Sequence, residues 1–299
     1  MRFASSPSPI YSESMSHLAQ KTVLITGASS GFGLLTAITL ARRGWRVLAT
    51  VRDLSRCGRL EETARAAGVL DRIEFIALDV TDNGQIADLA ASIASRPSRL
   101  DAVVNNAGFA MAGFAEDVSD AELRRQFDTN FFGAAAVTRA FLPLMRRQGS
   151  GYIVMLSSIS GRMGFPGVSS YSASKFALEG WAEALRLEMK PLGVHIVLVE
   201  PGSFETDIWT RNAIFSTGAQ DANSPNAART ARLLSSREML KPKADPQVVA
   251  DGIAAILDKP QPHLRYVFGR DAKLGLLLKG ALPSKLLEWV LIRVSGIGK

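Results

Sequence analysis

Tyr171, Lys175 and Ser158 have the side chains and the spacing for acid–base chemistry at a substrate oxygen. The run Tyr171-Ser172-Ala173-Ser174-Lys175 sets a phenol and an amine four residues apart, and the Ala-, Leu- and Glu-rich stretch to 189 predicts a helix. Positions i and i+4 of a helix share one face. An ammonium beside a phenol favours the phenolate, so Lys175 is expected to pull Tyr171 below the free value of about 10. Such a tyrosine would give and take protons near neutral pH. Ser158 lies thirteen residues earlier, just past the apolar run 152–156, which reads as a buried strand. Its hydroxyl could hold the oxygen while the tyrosine moves the proton. A tyrosine–lysine pair alone is a weak sign, because chance pairs are common on exposed helices.

The elements that would position this set begin near the N-terminus. Val23-Leu24-Ile25-Thr26 is short, apolar and β-branched, and reads as a first buried strand. It breaks into Gly27-Ala28-Ser29-Ser30-Gly31-Phe32-Gly33, followed by helical periodicity over 34–43. Strand, glycine-rich turn and helix, in that order, present a helix N-terminus to a pyrophosphate. Gly27 permits the tight turn, Gly31 lets the backbone approach phosphates, and Gly33 allows close helix–strand packing. The spacing is Gly-x-x-x-Gly-x-Gly, distinct from the common Gly-x-Gly-x-x-Gly fingerprint.

Taken together these motifs make residues 21–270 resemble the short-chain dehydrogenase/reductase family. The resemblance implies that the turn, with Ser29, Ser30 and Phe32, binds the cofactor. It implies that Asn105-Asn106-Ala107-Gly108, after the strand 100–104, supports the sheet and lines the adenosine side. Asp79-Val80 matches the pair that contacts adenine. Asn130 falls where the family has a helix-kinking asparagine that holds a water in a proton relay. Pro201-Gly202 and Thr206 match the segment that closes over the nicotinamide. The implied catalytic set is Asn130, Ser158, Tyr171 and Lys175. Plainer roles stay open: Asn105 and Asn106 as strand caps, Asp79 as cap of a helix beginning near Asp82, Asn130 bonded to its own helix, and Ser157 as the working hydroxyl.

Val51-Arg52-Asp53 ends the second strand, 45–50, where an acid selects the ribose 2′-hydroxyl of NAD and an arginine accommodates the 2′-phosphate of NADP. Asp53 opens a helical run, where an aspartate commonly caps. Arg52 therefore carries the choice, and NADP(H) is expected ahead of NAD(H).

At 299 residues the chain can bury one sizeable α/β domain plus extensions. Strand-like and helical runs alternate, predicting a single Rossmann-type doubly wound parallel sheet flanked by helices, with a C-terminal helical extension. The expected division is a disordered leader over 1–20 (with Met15 as an alternative start), a catalytic domain over 21–270, and an apolar, basic tail over 271–299. The leader lacks the apolar core of a secretion signal. The lone Cys57 excludes an intrachain disulfide and a cysteine-rich zinc cluster, and no metal site is expected. This fits a reducing, cytoplasmic compartment. His195, inside the apolar run 194–199, reads as an ordinary structural histidine. A net charge of +7 attracts anions without specificity, but the basic residues are dispersed and no nucleic-acid module is present.

The apolar runs 274–278 and 286–294 are broken by Pro283 and too short to cross a bilayer. Covering the pocket or a subunit contact is expected ahead of peripheral membrane attachment. Met163, Phe165, Phe204 and Trp209 join Ser158 as candidate substrate-pocket residues, in a substrate loop over about 203–245. They predict an apolar pocket with few fixed charges. Residues 174–180 and 264–266 are similar to the branch with 17-beta-hydroxysteroid and retinol dehydrogenases, which implies lipophilic alcohols and ketones. Family resemblance also implies a homodimer or homotetramer. A cofactor-sensing protein and a nucleotide-sugar epimerase or dehydratase are the competing readings on this fold.

Overall fold

The computed structural model describes residues 20–206, 208, 214–235 and 244–298. The expected leader and Trp209 lie outside the described residues, as does part of the expected substrate loop. Seven strands form one parallel sheet: β1 (Thr22–Ile25), β2 (Arg46–Val51), β3 (Ile73–Ala77), β4 (Ala102–Asn105), β6 (Gly151–Leu156), β7 (Val194–Pro201) and β9 (Arg265–Phe268). Their order is β3-β2-β1-β4-β6-β7-β9. Strand order reverses between β1 and β4, and such a switch opens a crevice at the strands' carboxyl ends. This is the doubly wound Rossmann-type sheet that the alternating pattern predicts.

The helices are α1 (Gly31–Arg42), α2 (Gly58–Ala66), α3 (Asn83–Ala94), α4 (Asp120–Phe127), α5 (Ala134–Gln148), α6 (Ser169–Met189), α7 (Ala227–Ser235), α8 (Gln247–Leu257), α9 (Arg270–Ala281) and α10 (Ser284–Val294). All four residues of β1 are buried, as a strand covered on both faces requires. Val23 and Ile25 enter the layer with α1 and α8, while Leu24 enters the layer of α3, α5 and α6. Truncating Leu24 to alanine should cost about 2–5 kcal/mol. Strand β6 spans both layers, with Val154 and Leu156 in the first and Ile153 and Met155 in the second.

Two details bear on the site. A π turn, Asp128–Gly133, joins α4 to α5, so the rod is displaced at Asn130. A two-stranded parallel sheet pairs β5 (Met111–Ala112) with β8 (Ile214–Phe215), tying the segment after β7 to the loop after β4. Glu122 of α4 reinforces this link by accepting from Thr217 N at 2.8 Å and Thr217 Oγ1 at 3.0 Å. The tail is two helices broken at Pro283, with α9 lying on β9 and on the turn Ile159–Gly161. No helix among the described residues is long and apolar enough to cross a membrane.

Candidate active site

A cavity of about 370 Å³ opens at the carboxyl edge of the sheet. Its wall runs from Arg52 and Arg56 past Gly27, Ser29, Ser30, Gly31 and Phe32 to Ser158, Tyr171 and Lys175. The charged side chains on it are Arg52, Arg56, Arg125 and Lys175; none of the described lining residues is acidic. An all-cationic wall suits a polyanion.

The glycine turn is built from the backbone outward. Gly27 has φ +66, and a Cβ there would stand 2.9 Å from Ala107 Cα. Gly31 has φ +54, and a Cβ there would meet Thr206 Cβ only at van der Waals distance, 3.7 Å. Gly33 is off the cavity; a Cβ would come within 2.5 Å of Gly27 O and clash with Asn106, so its smallness serves packing. The N-terminus of α1 therefore meets the cavity with its backbone uncovered and no acidic residue in its first turn. That cradle fits the pyrophosphate of a dinucleotide.

The asparagines do more than end a strand. Asn105 Nδ2 donates to Thr138 Oγ1 of α5 at 2.8 Å. Asn106 Nδ2 donates to Thr26 O and Gly27 O, each at 2.9 Å, and Thr26 Oγ1 accepts from the Asn106 and Ala107 amides at 3.0 Å. These bonds fix Asn106, Ala107 and Gly108 as cavity wall. Asn130 lies behind the wall. Its amide goes to the backbone of Phe109 and to Ser174 Oγ, and not to its own helix.

Ser158, Tyr171 and Lys175 meet where β6 ends and α6 begins. The Ser158 hydroxyl accepts from Ser160 N at 3.1 Å and hydrogen-bonds Tyr171. Ser157 also borders the cavity, but its hydroxyl faces Glu179. Lys175 Nζ donates to Leu156 O at 2.6 Å and sits 5.8 Å from the Tyr171 ring centre.

The expected low Tyr171 pKa is not what this arrangement gives. Burial pushes the phenol up to about 12, against a smaller downward pull from Ser158. Burial also brings Lys175 down to about 8, partly offset by the negative charge of Glu179. Spacing placed the two groups on one face; loss of water, which spacing does not report, set their proton affinities.

Other expected residues also sit differently. Val80 is on the wall, whereas Asp79 is not: its carboxylate turns back to Thr81 N at 2.9 Å and Thr81 Oγ1 at 2.7 Å. The helix cap is Asp82, which accepts from Gly84 and Gln85. Met163 and Phe165 do not line the cavity, and Met163 instead meets α9, its Cε 3.2 Å from a Cβ placed on Gly275. Phe204 does line it, edge-on to Phe32 at 5.7 Å. Pro201, Gly202 and Thr206 are on the wall as well. Asp53 caps the turn Leu54–Arg56 through Ser55 N and is not on the wall, while Arg52 is.

A family model described as short chain dehydrogenase matches residues 21–214. The oxidoreductase YusZ of Bacillus subtilis is 41% identical over 274 residues, 91% of this chain and 97% of its own. The chain belongs to the short-chain dehydrogenase/reductase family. As a member it is an oxidoreductase with a nicotinamide cofactor. Bovine (Bos taurus) retinol dehydrogenase 8 is 36% identical over 255 residues, 83% of this chain and 81% of its own. Among solved structures, a short-chain dehydrogenase from Streptomyces avermitilis superposes with a TM-score of 0.77 at 37% identity, covering 92% of this chain and 97% of its own. ElxO with NADP bound gives 0.68 at 27% identity, covering 83% and 96%. A Burkholderia phymatum family member in complex with NAD gives 0.74 at 25% identity, covering 91% and 95%.

The cavity residues of this family member that sequence reasoning missed include Arg56, Leu78, Arg125 and Thr129. For Arg56 a signal existed, since Asp53 as a cap begins one tight turn that brings Arg52 and Arg56 to the same wall. Arg125 carried none. Its place over the Phe109 ring, at 5.4 Å, follows from how α4 docks.

Proposed function

We propose that this oxidoreductase interconverts a carbonyl and an alcohol on a lipophilic small molecule, using NADP(H) and Tyr171 as acid–base group. One observation carries the reading: Ser158, Tyr171 and Lys175 share a wall with the glycine turn and a row of cations. Gly27, Gly31, Ser29, Ser30 and Phe32 would hold the phosphates, Arg52 the 2′-phosphate, Val80 and Asn106 to Gly108 the adenosine half. Pro201, Gly202, Thr206 and Lys175 would hold the nicotinamide half. When bound, the dinucleotide supplies or accepts the hydride.

The chain's own part is proton control. Ser158 and Tyr171 hydrogen-bond the substrate oxygen. A buried phenol at about 12 is protonated, the state needed to donate to a carbonyl oxygen as it becomes an alcohol. The Lys175 ammonium stabilises the phenolate left behind. With its amide committed to Phe109 and Ser174, Asn130 would serve a proton-returning water through its main-chain carbonyl in the π turn.

Phe109, Phe204, Ile208 and Ile214 on the same wall support an apolar substrate. The bovine relative, a retinol dehydrogenase, points to the same class. Arg52 on the wall, with Asp53 occupied as a cap, supports NADP(H) over NAD(H), as does ElxO with its bound NADP. Exposed Phe132, beside Asn130, and exposed Phe176 and Leu187 on α6 support a homo-oligomer. The packing of α9 on β9 supports a structural tail ahead of a membrane contact. A cytoplasmic location accords with the single cysteine, whose thiol burial pushes up and away from reactivity.

The test is a panel of apolar ketones and secondary alcohols with both cofactors. Turnover with NADPH is expected, and Tyr171→Phe should lower kcat by about 10²–10⁴-fold with cofactor affinity nearly unchanged. A Tyr171→Phe variant as fast as the parent would end the assignment. Dinucleotide binding with no turnover on any substrate would favour the sensor reading.

A further inference from the structure

Behind the catalytic wall lies a chain of charges, two of its carboxylates buried, that the reaction above leaves unused. Glu179 follows Lys175 by one turn of α6 and is 4% exposed; Glu200, the residue before Pro201, is 0% exposed. Arg265 of β9 joins them, its Nε 3.0 Å from both Glu179 Oε2 and Glu200 Oε1. Arg265 Nη2 also meets Glu183 of α6 at 2.5 Å, and Arg162 Nη1 reaches Glu200 at 3.1 Å.

The other charged groups facing this chain are few. Lys175 and Tyr171 lie toward the cavity, and Lys279 of α9 donates to Arg162 O. Away from solvent, Lys175 and Arg265 stand against Glu179 and Glu200, two of each sign, while the Arg162 and Glu183 side chains are 35% and 56% exposed. Balance inside a low-dielectric core is what makes buried charges tolerable. Without Glu179 the Lys175 ammonium would sit in a cluster with an uncompensated positive charge.

The junction between Lys175 and Glu179 is tight. A Cβ on Gly161 would stand 2.7 Å from Ser157 Oγ, 3.0 Å from Glu179 Cγ and 3.1 Å from Lys175 O. The Ser157 hydroxyl faces Glu179, yet neither Ser157 Oγ nor Glu179 Oε1 completes a well-formed hydrogen bond. One carboxylate oxygen is thus held by Arg265 and the other lies beside the hydroxyl of Ser157, which borders the cavity.

We propose that Glu179 is a positioning residue for Lys175: its buried carboxylate, fixed by Arg265, is the counter-charge that keeps the ammonium protonated beside Tyr171. The inference rests on the role given to Lys175 above. The two groups do not touch; they couple through space across one helical turn, where water is excluded and Coulomb interaction is strong. The direction of the proton affinities agrees. Glu179 raises Lys175 against burial, while burial lifts Glu179 itself to about 7, against Ser157 and Arg265.

The experiment reads Lys175 directly, independent of turnover. Lysine side chains are labelled with ¹³C at Cε in the full chain without added cofactor, and Lys175→Arg identifies the resonance. The pH titration is then compared between the parent and Glu179→Gln, which keeps the shape and removes the charge. The Lys175 midpoint is expected to fall by about half a unit or more. The alkaline limb of kcat/KM should move the same way, a shift that simple loss of stability would not produce. An unchanged midpoint overturns the proposal even if turnover drops. Should Glu179→Gln fail to fold, Ser157→Ala takes its place, with a smaller fall expected and no fall counting against the idea. Retained activity in Tyr171→Phe would instead sink the catalytic reading and leave the Lys175 titration standing.

Discussion

Asn130 clasps the backbone of Phe109 from both sides: its Oδ1 accepts from Phe109 N at 3.1 Å and its Nδ2 donates to Phe109 O at 3.0 Å. The clasp connects the π turn to the loop that follows Asn106, Ala107 and Gly108. It gives Asn130 a structural duty separate from any part in proton movement. Asn130→Ala would leave Phe109 N without this partner, at about 1–3 kcal/mol when buried, while Phe109 O would keep its bond from Gln126 Nε2 at 2.8 Å. The unfolding midpoint in urea should fall, and dinucleotide affinity should weaken with it. An unaltered midpoint would show that the clasp contributes little.

Lys175 is a stability liability as well as a functional group. Its folded pKa of about 8 lies below its unfolded value, so below both the native state carries a cost for the buried charge. Stability should rise between about pH 8 and pH 10.5, where the unfolded chain still binds the proton and the native protein does not. Lys175→Met should therefore be more stable than the parent at pH 7 by on the order of 1–2 kcal/mol, after allowing for the lost bond to Leu156 O. The difference should vanish above pH 10.5. Thermal unfolding of both proteins across this range checks the sign.

Arg52 and Arg56 border the same cavity, one just before Asp53 and the other at the end of the turn it caps. Replacing both with alanine should weaken NADPH binding by about 10–100-fold, the loss of two charge-assisted contacts. Binding of NADH should change several-fold less. Fluorescence titrations with the two dinucleotides measure the ratio. Equal losses would mean that these arginines do not distinguish a 2′-phosphate.

Glu122 links α4 to the segment around Thr217. Burial alone would raise its carboxyl, but hydrogen bonds from Ser119 and Thr217 outweigh that and hold it at about 2. A lowered carboxylate contributes stability above its unfolded value, and that contribution is lost as pH falls toward 2. Hydrogen exchange of the Thr217 amide should accelerate as pH falls from 4.5 toward 2, beyond the intrinsic rate change, ahead of amides in β1. Glu122→Gln should show the same loosening at neutral pH.

Chain order and local composition already determined much of this protein. Short apolar runs rich in β-branched residues, bounded by turn residues, fit strands covered on both faces, and the turn from Gly27 to Gly33 needs residues without side chains wherever φ is positive or backbones touch. Those constraints act over a few residues, so one sequence displays them. The i,i+4 relation of Tyr171 and Lys175 is legible for the same reason.

Proton affinity is a different kind of property. Tyr171 is pushed up and Lys175 down because β6, β7 and α6 together exclude water from both, and no local pattern reports how much solvent is removed. Likewise Arg265 and Glu200 are far from Glu179 along the chain; the parallel pairing of β7 with β9 and the packing of α6 on β7 make them neighbours. Whether Arg125 faced the cavity and Met163 did not was settled by helix docking. Short-range sterics wrote the outline into the sequence, while burial and long-range contact, which depend on the whole fold, decided the charges at its centre.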